Sequence, residues 1–364
     1  MSPDSESKVM VTFDMDLYKR AFKLEFLDER YSGKWWLLPG AFHTSLCAIR
    51  CLGKTVEYSG IDDLWINSCT YGDVVTNQII NGSHYNRAVE AHEIMLQVLS
   101  DLWLESFLES RPEIYTAIKD AVKLVEVAVK SPSGIKSAHQ ALIAELEKLN
   151  LEKELQDYDQ LNDKFPRYKW CRNYMRQTLS LLAFHRSVKD SQFFLYLASL
   201  EELATYFFAY NRLDYAQHIL EFTARAYDTR TADPELWLRL CAGEFVFSNN
   251  NVPFTSIGLD QAQEHQNKML KGDGGLNGIT NKPATLLKFC LAAPELAHIA
   301  KQTNDILGVT KQRSETHHLL ASSVEARHEK MIVNLKAELK FNPFNDRGKE
   351  LYNIVTKKVL RPEA

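Results

Sequence analysis

No apolar run in the chain approaches the roughly 18 to 20 residues that a membrane span requires. The first ten residues, MSPDSESKVM, are polar and acidic and hold no signal core. An intracellular protein, nuclear or cytoplasmic, with no membrane partner is therefore expected. Cysteine is sparse: Cys47, Cys51, Cys69, Cys171, Cys241 and Cys290 form no C-x-x-C pair and have no neighbouring histidine at zinc spacing. That excludes a zinc ribbon or a secreted disulfide framework and predicts reduced core thiols. Basic excess is also missing, because 43 Lys+Arg face 47 Asp+Glu for a net charge of -4. A strongly basic nucleic-acid footprint is thereby excluded, although residues from 254 onward are mildly positive, with 16 basic against 12 acidic side chains. There is no Gly-x-Ser-x-Gly elbow, and the glycine-rich GDGGLNG at 272–278 lacks the Gly-Lys-Ser/Thr ending of a phosphate loop and follows no strand. What is present is a globular composition, 45% hydrophobic and 25% charged over 364 residues, enough for two or three cores.

Residues 8–13 (KVMVTF) are β-branched and aromatic and end at Asp14, after which Leu17, Ala21 and Leu24 recur at helical spacing. The pattern predicts a strand, then a helix. Gly33 breaks that helix, KWWLL at 34–38 reads as a short buried strand closed by Pro39-Gly40, and a helix over about 42–57 follows. This is a β-α-β-α unit of the kind found at the edge of an α/β sheet. From 59 to about 241 the pattern is helical almost throughout, with Ser83 as the cap of a long helix. Residues 192–210 are apolar enough to read as the central helix of a bundle. Strand character returns at 244–248 and 254–259, a hairpin by its turn chemistry. The polar helix 260–271 then opens on Asp260 as its N-cap, and helices near 283–303 and 311–339 precede a polar tail. The expected division is 1–58 as half of an α/β core, 59–243 as a helical insertion bundle, 244–345 as the hairpin and helices completing the core, and 346–364 as a C-terminal tail.

Taken together, VTFDMDLYKRA, PGAFHTSLCAIRCLGKTVEYSG, INGSHYNRAVEAH, FLYLASLEELATYFFAYNRLDYAQHI and SIGLDQAQEHQNKMLKGDGGLNGIT resemble the blocks of a family of uncharacterised, mobile-element-derived animal proteins. The resemblance runs from residue 9 to about 345. The order of elements is also similar to the second half of the RNase H-like core of cut-and-paste transposases, in which three carboxylates hold two divalent metals for phosphodiester chemistry. The implied fold is mainly α with a small α/β part, a partial RNase H-like sheet interrupted by a long all-helical insertion. By position, Asp14 resembles the second carboxylate, His43 the histidine after the next strand and Glu264 the last carboxylate, with Asp260 and Asp16 in reserve. Asp14, Asp260 and Glu264 would then be the ligands of Mg²⁺ or Mn²⁺, and DNA the partner. Such a core has three earlier strands, and eight residues precede Val9, so a chain that is incomplete or inactive in isolation is expected. If active, it would be a nuclease or strand-transferase.

Each candidate also has a plain structural reading. An acid that closes a strand often caps the next helix, which suits Asp14, and Asp16 is favoured by the helix dipole alone. His43 reads either as a catalytic histidine or as a satisfied structural one. Asp260 and Glu264, four apart, share one helix face and read as cation ligands or as part of an exposed capped helix. Lys268, Lys271, Lys282 and Lys288 are candidate contacts to a nucleic-acid backbone. His84 and His92, two turns apart, cannot bind one metal together. The alternative function is a non-enzymatic helical scaffold for protein interaction.

Overall fold

The computed structural model describes residues 8–128, 142–144, 146–248, 254–271, 282–306 and 321–360. In chain order the elements are β1 (Val9–Phe13), α1 (Met15–Leu27), β2 (Trp35–Pro39), α2 (Ala41–Val56), α3 (Ile61–Asn67), α4 (Asp73–Ile80), α5 (Tyr85–Ser110), α6 (Pro112–Ala128) and α7 (Leu151–Asn162). They continue with α8 (Pro166–Lys189), α9 (Phe193–Ala209), α10 (Leu213–Ala232), α11 (Pro234–Cys241), β3 (Val246–Phe247), β4 (Ile257–Gly258), α12 (Leu259–Lys271), α13 (Pro283–Ile306) and α14 (Ala321–Leu339). The protein is mainly helical, and the described residues contain two small sheets of two strands each. Two compact units form: residues 1–48 with 183–326, and residues 49–182 with 327–364. The helices of 183–243, expected in the insertion bundle, thus belong to the unit that holds the strands.

In the first unit β1 and β2 are parallel, with Val9 opposite Trp35 and Phe13 opposite Pro39, and α1 is the crossover between them. Trp36, Leu37 and Leu38 of β2 are buried, and α1 and α10 pack on this strand. Helices α9 and α10 form a close antiparallel pair, turning at Asn211, which adopts a left-handed φ of 54°. Helix α9 buries Phe193, Tyr196, Leu197, Leu200, Leu203 and Phe207 at helical spacing. Phe194 and Phe208 are exposed, so α9 is a two-faced helix and not a bundle centre. The hairpin expected at 244–259 is reduced to β3 antiparallel to β4, with Val246 opposite Gly258. Residues 249–253 and the glycine-rich 272–278 lie outside the described residues.

The second unit centres on α5, whose Ala88, Ala91, Ile94, Met95, Val98, Leu99 and Leu102 are buried. His84, not Ser83, occupies the N-cap position of this helix, with no side-chain cap. The polar tail expected at 346–364 is docked through residue 360. Asn353 donates to Tyr58 O at 3.1 Å and Asp63 Oδ2 at 2.9 Å, and its Oδ1 accepts from Val355 N and Thr356 N. Ile354 is buried and its N–H reaches Ser59 O at 2.8 Å. A polar composition here reflects satisfied hydrogen bonds, not solvation of a free end.

Candidate functional site

Three chain segments build the polar centre of the first unit. Asp14 follows β1 directly and caps α1, its Oδ1 accepting from Leu17 N at 2.9 Å. Gly40 follows β2, donates from its N–H to Phe13 O at 2.8 Å, and leads into α2, where His43 sits in the first turn. The third segment arrives from α12. Asp260 is only 4% exposed and reaches across to the start of α2, accepting from Phe42 N at 3.1 Å through Oδ1 and from His43 N at 3.0 Å through Oδ2. The expected N-cap of α12 is thus in fact the cap of α2, more than 200 residues away in the chain. A buried carboxylate at a helix N-terminus is held by the orphan N–H donors and by the helix dipole.

This seat requires glycine on both sides. A methyl group at position 40 would stand 2.5 Å from Asp260 Oδ2, and one at position 258 would stand 2.7 Å from Oδ1. Neither neighbour can yield, because the carboxylate is fixed by its own hydrogen bonds. The GxF and GLD steps of the sequence are therefore one contact seen from two ends.

Asp260 Oδ2 also lies 2.9 Å from His43 Nδ1. That hydrogen bond raises the imidazole above its ordinary value, and the negative charge of Asp260, Asp14 and Glu264 adds to the rise while burial opposes it. With Nδ1–H donating to the carboxylate, the ring orientation is set by a buried group and the histidine side chain remains 31% exposed. Asp14 and His43 line a cleft of about 550 Å³ together with Asp16, Arg212, Asp214 and Tyr215. Lys19 bridges Asp214 at 2.6 Å and Asp16 at 3.3 Å across its rim. Arg212 comes from the α9–α10 turn and Asp214 from the first turn of α10. Sequence reasoning passed over them because AYNRLDYA reads as an ordinary polar turn.

Asp14, His43 and Asp260 are thus gathered, and Glu264, one turn beyond Asp260 and half-buried, contributes its charge to His43. Among the described residues no three His, Cys, Asp or Glu side chains form a group able to hold a metal ion. Lys268, Lys282 and Lys288 are exposed and line neither Asp14's cleft nor the His43 contact, and the Lys271 side chain lies outside the described residues. His92 is fully buried, its Nδ1 2.8 Å from the Tyr174 hydroxyl, and burial pushes it down to about 3; it is a packing residue of the second unit. The five described cysteines, Cys47, Cys51, Cys69, Cys171 and Cys241, are free thiols.

No helix among the described residues is long and apolar enough to cross a membrane. No curated protein and no solved structure is significantly similar to the chain. A family profile matches residues 2–363, and the chain belongs to the family of the domain of unknown function DUF8702.

Proposed function

We propose that this chain is a transposase-derived, RNase H-like nucleic-acid protein acting inside the cell, with DNA as its partner and with Asp14, His43 and Asp260 as the centre retained from that ancestry. The observation that carries the reading is the meeting of these three residues at the carboxyl ends of two parallel strands. The first strand ends in an acid, the second leads to a histidine, and a late helix delivers a carboxylate after a long helical stretch. Ligands and catalytic groups of α/β sheets gather at such strand ends.

In this reading His43 is the proton-transferring group. Its Nδ1–H is held by Asp260, which orients the ring and favours the protonated form, so the half-exposed imidazole can donate a proton into the cleft. Asp260 is a positioning residue. Its oxygens are committed to Phe42 N, His43 N and His43 Nδ1, which leaves Asp14 and Glu264 as the carboxylates for Mg²⁺ or Mn²⁺. A two-metal centre needs further ligands beside these two carboxylates, and in this reading the isolated chain is an incomplete or inactive nuclease or strand-transferase.

The test is a salt titration of binding to duplex and single-stranded DNA. A DNA partner gives a linear fall of log affinity with log salt, whose slope counts the phosphates neutralised; a flat response overturns the reading. The second reading, a non-enzymatic interaction scaffold, is favoured by one observation: Asp14 and Asp260 both serve as helix caps. It predicts the flat salt response and no change in partner binding for His43→Gln.

A further inference from the structure

Helix α13 of the first unit carries exposed apolar side chains. It is 24 residues long. Leu287, Leu291 and Ile299 on its surface are 61%, 75% and 55% exposed. Leu287 and Leu291 are one turn apart and Ile299 lies about two turns further, so the three share one broad face. A face of this kind in water calls for an occupant.

The charges on that face, between Leu291 and Ile299 around the helix, identify the occupant. Lys288 and Glu295 are both exposed and are seven residues apart, which puts them on the same flank of the helix. Leu291, the most exposed of the three apolar residues, lies between them. In an antiparallel pair of α13 helices related by a twofold axis at Leu291, the helical rise places Lys288 about 4.5 Å to one side of the axis and the partner's Glu295 about 6 Å to the same side. The two charges then face each other within ion-pair reach, and the symmetry makes the contact twice. A parallel pair would instead set Lys288 against a second Lys288. Nucleic acid does not suit this face, because Glu295 would meet phosphate. We propose that α13 is a self-association helix: a second copy of this chain docks antiparallel on the Leu287–Leu291–Ile299 face, with Lys288 of each copy against Glu295 of the other. This interface is independent of the cleft and of its proposed chemistry.

Sedimentation equilibrium of the full chain tests it. The expected result is a monomer–dimer equilibrium with a dissociation constant on the order of 10 μM at low salt, as befits a single helix pair, weakening as salt screens the ion pairs. Leu291→Glu abolishes the dimer, and as an exposed substitution it leaves the far-UV circular dichroism unchanged. Lys288→Glu and Glu295→Lys each weaken dimerisation about tenfold, because each converts two attractive contacts into two repulsive ones. The double variant K288E/E295K restores wild-type affinity. A wild-type chain that stays monomeric, a Leu291→Glu chain that still dimerises, or a double variant as weak as the single ones overturns the proposal.

Discussion

Two histidines, one in each unit, have opposite environments. His43 is half-buried at a helix N-terminus, hydrogen-bonded to a carboxylate and surrounded by further acids, so its protonated form is favoured. His92 is sealed among Trp65 and Tyr174, with a hydroxyl as its one polar partner, and burial drives it to the neutral form, down to about 3. Residue type is the same; the sign of the shift follows from the neighbours. A histidine whose protonated form is favoured beside a cleft can exchange protons with a bound molecule, whereas a sealed neutral one contributes only to packing. The candidate chemistry of this protein therefore lies in the first unit.

The contrast has consequences that can be measured. The largest is for Asp260→Ala, which leaves two N–H groups of α2 and the His43 ring without their acceptor; a loss of about 3 kcal/mol in denaturant unfolding is expected. Asp260→Asn, which keeps one acceptor oxygen, should lose less, and equal losses would mean that the carboxylate is not acting as the cap. Next is Gly40→Ala, where the added methyl meets both Asp260 Oδ2 and the backbone Phe13 O; about 2 kcal/mol of destabilisation is expected, and a neutral outcome would show that both can move away.

The pH dependence is expected to separate the two histidines. For His92 the folded value lies below the unfolded one, so the unfolded chain binds the extra proton and stability falls as pH drops from about 6.5 toward 3, by about 1.4 kcal/mol per pH unit at most. His92→Phe should flatten that slope, and an unchanged slope would assign it elsewhere. For His43 the sign is reversed: its contribution is present in full below the unfolded value and is lost as pH rises through the raised folded value. The smallest effect is the one seen directly by NMR titration, where His43 should titrate above an ordinary histidine and move down in Asp260→Asn. A His43 that titrates identically in both proteins would remove Asp260 as its positioning partner.

Local signals were legible where local physics decides. The strand read at 8–13 is β1, the helix read over 42–57 is α2, and Asp14 caps α1 by bonding a backbone N–H three residues on. Asp260 was legible as a cap but not as the cap of α2, because N-capping preference depends on a nearby orphan N–H and is blind to which helix supplies it. Nor does the apolar density of α9 say that Phe194 and Phe208 would remain exposed, since density along a helix carries no information on how many of its faces are covered. The C-terminal segment looked like a tail because its anchor is the polar Asn353, two of whose four side-chain hydrogen bonds need partners from the 58–63 region.

By itself, then, the amino-acid sequence determined the helical class, the β-α-β-α opening and the residue types available for chemistry, since all of these depend on periodicity, turn residues and side-chain identity within a few positions. Tertiary structure alone decided that Asp260 meets His43, that Gly40 and Gly258 must lack side chains, that Arg212 and Asp214 border the cleft, and that His43 and His92 shift in opposite directions. Those outcomes depend on which distant groups come within a few ångströms, and on how much water remains between them.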